Sequence, residues 1–487
     1  MTLDPRTPVI VGAGLVNDRD RSAEPIDVMV RATELALSDA SSASLRRSVA
    51  AVRVVWGVWP YRDPGRLVAE RIGAPDARTT LTTIGGNQVY DLIADTAARI
   101  ARGELDAAVV CGAETLRTRR HDRAAGRRTS YLSEPDEARP DEILGSDEPL
   151  STPAEEAIGV HHAVHFYAMA ETAIRHRNRE SVQQHRDRIA ALWAVASQAA
   201  AANPDAWTRR SFTAAEIAAA TESNRPIAAP YPKLMTSNLD VDQGAAVVVC
   251  SAAAAERAGI PADRWVFPWS AAGAADAYPT NRWAFDESPA MRLSARRALD
   301  LAALGVDDCA LVDLYSCFPS AVQVAQRELG VAVDRPFTIT GGLTFAAGPL
   351  NCYCLLALVR AVGLLRDAPE QRALLTGNGG YFTKHSMLVL GGSPPNGFQV
   401  GSAQAAVDAL PTRPDPVGPA ARARLEAYTV TFDRERRPER AILACLDADG
   451  CRHWAESYDA ELVTALLDAD LCGSTVEIDA TATAVRR

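Results

Sequence analysis

Thr79-Thr80-Leu81-Thr82-Thr83-Ile84 runs into Gly85-Gly86-Asn87 and on into Gln88-Val89-Tyr90-Asp91-Leu92-Ile93-Ala94-Asp95-Thr96-Ala97-Ala98-Arg99-Ile100. The β-branched first part reads as a strand. From Val89 the apolar residues fall at Val89, Leu92, Ile93, Ala97 and Ile100, which is helical spacing. A strand therefore becomes a helix across two glycines, residues that adopt backbone angles others resist. A helix starting there points unpaired N–H groups and its positive end beyond the turn. That arrangement suits an anion or a developing oxyanion; the plainer reading is a tight turn with Asn87 as the helix cap.

Upstream, residues 7–16 read as a strand entering Gly12-Ala13-Gly14. No third glycine completes a dinucleotide fingerprint, so this is a turn. A helix over about 24–40, a strand over 49–58, a short helix over 67–72 and a buried strand over 107–111 give the alternation of an α/β layered sheet. Charged residues and prolines crowd 117–150, where the strand pattern stops. Helices then fit 161–176 and 181–202, and Thr213 to Glu216 has the form of a capping box. We read 117–233 as a helical insertion.

Strand character returns over 244–250, and 256–392 repeats the earlier plan. It holds strands over 265–269 and 310–316, a helix over 289–303 and another ending at 329. The helix over 350–365 is apolar nearly all round and must lie between sheets. Strands over 372–376 and 386–390 flank the glycine segment Gly377-Asn378-Gly379-Gly380. Two halves with one plan suggest internal duplication. Pro394, Pro395, Pro411, Pro414, Pro416 and Pro419 mark 393–420 as a linker, and 421–487 as a small β-rich module.

The chain has 487 residues, 47% of them hydrophobic, and a net charge of −10, the composition of an ordinary globular protein. The acidic balance argues against nucleic acid and against an anionic membrane as partners. No signal-peptide pattern or membrane-length apolar run is visible, so a cytoplasmic location is expected. Nine cysteines in mostly apolar contexts do not make a disulfide framework. Metal binding is not expected either: Cys352-Tyr353-Cys354 sends its sulfurs apart, and His161, His162 and His165 cluster at the start of an insertion helix, His161 and His165 on one face, without the glutamate of a zinc motif.

Taken in order, Gly85-Gly86-Asn87, Cys111-Gly112-Ala113-Glu114, Val241-Asp242-Gln243-Gly244-Ala245-Ala246, Asp313-Leu314-Tyr315-Ser316-Cys317-Phe318, Gly341-Gly342, Gly348-Pro349 and Gly377-Asn378-Gly379-Gly380 resemble the thiolase superfamily. Within it the chain is most similar to the sterol-carrier-protein-type thiolases and the type 1 thiolase-like proteins, which carry an additional C-terminal domain. The resemblance covers residues 6–392, and 421–487 looks like that additional domain. It implies a five-layered αβαβα fold with an N-terminal half (1–116 and 234–255), a loop domain (117–233) and a C-terminal half (256–392). It also implies acetyl-CoA acetyltransferase-like chemistry, with a coenzyme A thioester as substrate or ligand and no covalently bound cofactor.

The departures fall on the reacting groups. The family's cysteine nucleophile, counted back from Glu114, lands on Gly86, and its Gly-His-Pro histidine lands on Gly348. Its second cysteine falls near Thr376 or Gly377, and its His-Asp-Cys-Phe segment is Tyr315-Ser316-Cys317-Phe318. Acyl transfer through a covalent thioester needs a thiolate and a neighbouring base, and neither stands at those positions.

The remaining candidates are polar. Tyr315 is read as a donor to a thioester oxygen or as an ordinary strand-end tyrosine. His385 is read as a base or as a satisfied structural histidine, and Cys317 as a site thiol or an inert buried one. Asn87 either completes an oxyanion pocket or caps its helix. Gly85, Gly86, Gly348, Asn378, Gly379 and Gly380 are expected to line the substrate. Two functions follow: carbon–carbon cleavage of retro-aldol type on an acyl-CoA, or non-catalytic binding of CoA esters with a protein partner docking on the C-terminal module.

Overall fold

A computed structural model describes residues 3–19, 24–418, 420–479 and 485–486. Met1 and Thr2, read at the N-terminus, Pro419 of the expected linker, and residues 480–484 and 487 of the C-terminal module lie outside them.

The stretch around Gly86 folds as read. Arg78–Thr82 is a strand and Gln88–Arg102 a helix, ended by Gly103 in the left-handed region at φ 75°. The strand pairs in parallel with Ala51–Val54 and Glu142–Leu144. The first sheet runs Pro8–Asn17, Asp242–Ser251, Ala107–Thr115, Ala51–Val54, Arg78–Thr82, Glu142–Leu144. Every residue of Asp242–Ser251 and Ala107–Thr115 is buried, which explains their unbroken apolar runs. The second sheet runs Leu311–Asp313, Arg372–Gly379, Lys384–Gly391, Phe267–Ala275, Gln399–Ser402. Ile10 and Val266 bridge the two sheets.

Gln88–Arg102 and Tyr353–Asp367 lie between the sheets and touch strands of both. Leu92, Ile93 and Ile100 are fully buried, each contributing about 1.5–3 kcal/mol of apolar transfer. Pro25–Asp39 and Pro64–Arg71 cover the outer face of the first sheet, and Pro289–Ala302 that of the second. The result is the thiolase-like five-layered αβαβα arrangement of two similar halves.

Three segments differ from expectation. Within the insertion read as helical, Glu142–Leu144 joins the first sheet as its edge strand. Three residues are too few for an alternation to be visible, and Ile143 is exposed. The expected linker begins with Gln399–Ser402, the fifth strand of the second sheet, followed by the helix Gln404–Asp408. Gly377, Asn378 and Gly379, read as a loop, extend the strand Arg372–Gly379 instead; two of the three carry no side chain from which a strand pattern could be read.

The C-terminal module is β-rich, with Arg422–Phe432, Pro438–Leu446, Arg452–Ser457 and Thr475–Ile478 in one sheet. Two strands from the insertion, Pro226–Ala228 and Tyr231–Pro232, belong to the same sheet through Thr431 and Ala228. Fully buried Arg452 fastens the module to the second half. Its Nη1 donates to the carbonyls of Pro279 (2.5 Å), Thr280 (3.1 Å) and Arg282 (2.7 Å), and its other nitrogens bind Glu426.

Candidate functional site

The turn between Arg78–Thr82 and Gln88–Arg102 opens onto a cavity of about 440 Å³. Gly85 has φ 149° and Gly86 follows it. Both line the cavity, together with Tyr315, Cys317, Asn378, Gly379 and Gly380. Three separate segments thus bring seven of the expected residues to one place. The backbone N–H groups of Gly86 and Asn87 have no hydrogen-bond acceptor among the described residues, as the start of a helix leaves them.

Three expected residues do not line it. Asn87 precedes the helix without capping it through its side chain; its Nδ2 donates to Asp91 Oδ2 at 2.8 Å, and its buried Oδ1 has no partner. Gly348 donates its N–H to the Asn238 carbonyl. His385 lies on the strand Lys384–Gly391, where Nε2 is 2.9 Å from Ser288 Oγ and 3.1 Å from the Phe382 carbonyl. Burial pushes its pKa down to about 4, so it is held neutral behind the cavity wall.

The Gly86 position is already filled. A Cβ built there would lie 2.5 Å from the Tyr315 hydroxyl and 2.5 Å from the Asn378 carbonyl oxygen. No side chain fits at 86 unless both the Tyr315 ring and the backbone at Asn378 move. Tyr315 is held by its own N–H on Thr376 Oγ1 (2.8 Å) and by its ring edge-to-face on Tyr353. Its hydroxyl has no hydrogen-bond partner among the described residues. Burial raises its pKa well above the ordinary tyrosine value, which keeps the proton on the oxygen and makes it a donor. Burial likewise pushes the Cys317 thiol up to about 12, so it is not a thiolate near neutral pH.

Two further residues reach the cavity from the insertion. His162, just before the helix Ala163–Asn178, is the histidine that lines it. Burial first, then neighbouring His161, lowers its pKa, leaving it neutral and able to accept a proton. Tyr167, one and a half turns on, accepts from Asn378 Nδ2 at 2.8 Å and stacks on Phe318 with ring centroids 4.7 Å apart. The sequence places His161, His162 and His165 together at a helix start and pairs His161 with His165 by helical phase; His162 precedes the first helical turn, in extended backbone, and falls outside that pairing. Its signal was adjacency to a helix start.

All nine cysteines are unpaired and buried. Among the described residues no cluster of three metal-ligating side chains occurs, and no helix is long and apolar enough to cross a membrane.

With this geometry in place, the relatives can be compared. Residues 402–483 match the model of the thiolase-like protein type 1 additional C-terminal domain. A monomeric SCP2-thiolase-like protein type 1 from Mycobacterium smegmatis is 30% identical over the whole of both chains, with a TM-score of 0.86. The chain belongs to the SCP2-thiolase-like type 1 family. Its fold extends to more distant proteins: an Ltp2–ChsH2(DUF35) aldolase (19% identity, 80% of this chain and 98% of that one, TM-score 0.60) and human mitochondrial 3-ketoacyl-CoA thiolase (15%, 80% and 99%, 0.58). No curated protein matches the sequence. In this member of the type 1 family, the Tyr315 hydroxyl and the Asn378 carbonyl occupy the space that a side chain at position 86 would need.

Proposed function

We propose that the protein cleaves a carbon–carbon bond in a β-hydroxyacyl thioester of coenzyme A by a retro-aldol route, without a covalent acyl-enzyme. The single observation behind this is the Tyr315 hydroxyl seated against Gly86, facing a cavity beside unpaired helix N–H groups. A neutral tyrosine and two backbone N–H groups are donors for a thioester oxygen that gains charge as an enolate forms. His162, neutral in the cavity wall, takes the proton of the β-hydroxyl. The Cα–Cβ bond then breaks, leaving an aldehyde or ketone and the enolate of the shortened thioester, which is protonated at carbon. No thiolate is required. That a protein of this fold is described as an aldolase fits the reading, as does the absence of a low-pKa cysteine at Cys317.

The test is incubation with β-hydroxyacyl-CoA substrates and trapping of the carbonyl product. Turnover is expected, with Tyr315→Phe lowering kcat about 10²–10³-fold, the usual loss for one oxyanion donor. Intact-mass measurement after acetyl-CoA is expected to show no cysteine adduct; a stable adduct contradicts the proposal. CoA ester binding with no turnover of any thioester favours the second function, a binding protein.

A further inference from the structure

A second cavity, larger than the first at about 590 Å³, lies between the insertion and the C-terminal module. Its apolar wall includes Val182, Pro230, Phe432 and Leu466. Its polar wall holds Arg175, Arg186 and Arg436, opposed by the carboxylates of Glu435 and Asp468.

Arg175 is the telling group. It is 3% exposed, yet only Nη2 is hydrogen-bonded, to the Tyr428 hydroxyl and to Asp470 Oδ1 (3.4 Å). Its buried Nε has no partner. Its charge is shared only with Asp470, in a long ion pair at 3.4 Å, and lies over the Tyr428 ring, so an anion at the cavity would add a second partner to a guanidinium whose unmet Nε costs free energy. Arg186 donates only to the Ala218 carbonyl, at 3.2 Å. Neither Arg186 nor Arg436 is ion-paired among the described residues, whereas Glu435 is drawn to Arg437 at 3.5 Å.

We infer that this cavity is a binding site for an alkyl chain ending in a carboxylate, distinct from the cavity at Gly86. The apolar wall takes the chain and the Arg175 and Arg186 side the head. Glu435 and Asp468 temper the positive field, favouring a single negative charge over a dianionic phosphate. The volume lies within the range of about 300–1,000 Å³ usual for small-molecule pockets.

The test uses the full chain and dodecanoate below its micellar concentration, by calorimetric titration. Saturable binding at one site is expected. Arg186→Ala, a part-exposed position, is expected to weaken it about tenfold or more, the worth of one charge-assisted hydrogen bond. Ala220→Trp, at the exposed cavity rim, is expected to abolish it while the unfolding temperature holds. Dodecyltrimethylammonium and dodecanol are expected to bind at least about tenfold more weakly on the same grounds. Binding unchanged in Ala220→Trp, or dodecanol matching dodecanoate, overturns the site. Dodecyl phosphate binding more tightly than dodecanoate overturns the carboxylate assignment.

Discussion

A cysteine restored at position 86 would meet the Tyr315 hydroxyl and the Asn378 carbonyl at distances no side chain tolerates. Gly86→Cys is therefore expected to destabilise the protein by about 1–3 kcal/mol, the usual cost of overpacking. Adding Tyr315→Ala removes the hydroxyl contact but leaves the Asn378 carbonyl, so it should return only part of that, read as non-additivity in urea unfolding. By contrast, Tyr315→Phe removes a hydroxyl with no partner among the described residues and is expected to change stability by less than about 1 kcal/mol while lowering kcat about 10²–10³-fold. A large stability loss would mean that the hydroxyl is structural. At this scale the sequence was informative where side-chain type and motif coincide: Tyr315, Cys317 and the glycines at 85 and 379 could be singled out by number. It marked His162 only as one of three histidines at a helix start and was silent on Tyr167, because their place at the cavity depends on how the insertion folds back over the halves. It pointed to His385 for its position beside a glycine segment, but strand pairing with Phe267–Ala275 places that ring behind the wall.

Among the elements, the buried strand Lys384–Gly391 and helix Gln88–Arg102 carry titratable groups of opposite effect. His385 stays neutral inside down to about pH 4, whereas an unfolded histidine is protonated near 6.5. The unfolded chain thus binds more protons between those values. This residue's share of stability, complete above about pH 6.5, drains as pH falls toward 4. Asp91, raised to about 6 chiefly by burial, works the other way: its folded form holds the extra proton, and its share falls as pH rises from about 4 to 6. His385→Gln should accordingly lose less stability between pH 7 and 5 than the parent, and Asp91→Asn more. Parallel slopes for all three would show that neither group is perturbed. The long elements were legible because burial on two faces imprints an apolar run or a helical phase on the sequence. The short edge strands Glu142–Leu144 and Gln399–Ser402 left no such print.

For the whole molecule, Arg452 ties the C-terminal module to the second half, beside the Trp454 hydrogen bond to Thr280 Oγ1. Arg452→Met would leave three carbonyls without their donor and the Glu426 carboxylate with Arg413 alone at 3.7 Å, at a cost of about 1–3 kcal/mol or more. Proteolysis in the 411–418 segment should become faster in that variant, and an unchanged cleavage rate would mean that the remaining packing suffices.

The shared sheet has a temporal consequence. Pro226–Ala228 and Tyr231–Pro232 emerge from the ribosome long before Arg422–Phe432 exists to receive them. At about 5–20 residues per second the hairpin waits on the order of ten seconds or more with its edge uncovered. The thiolase-like body can therefore complete its middle only when the tail arrives, and a gene fusion that severed or swapped that tail would leave an open seam in the body itself.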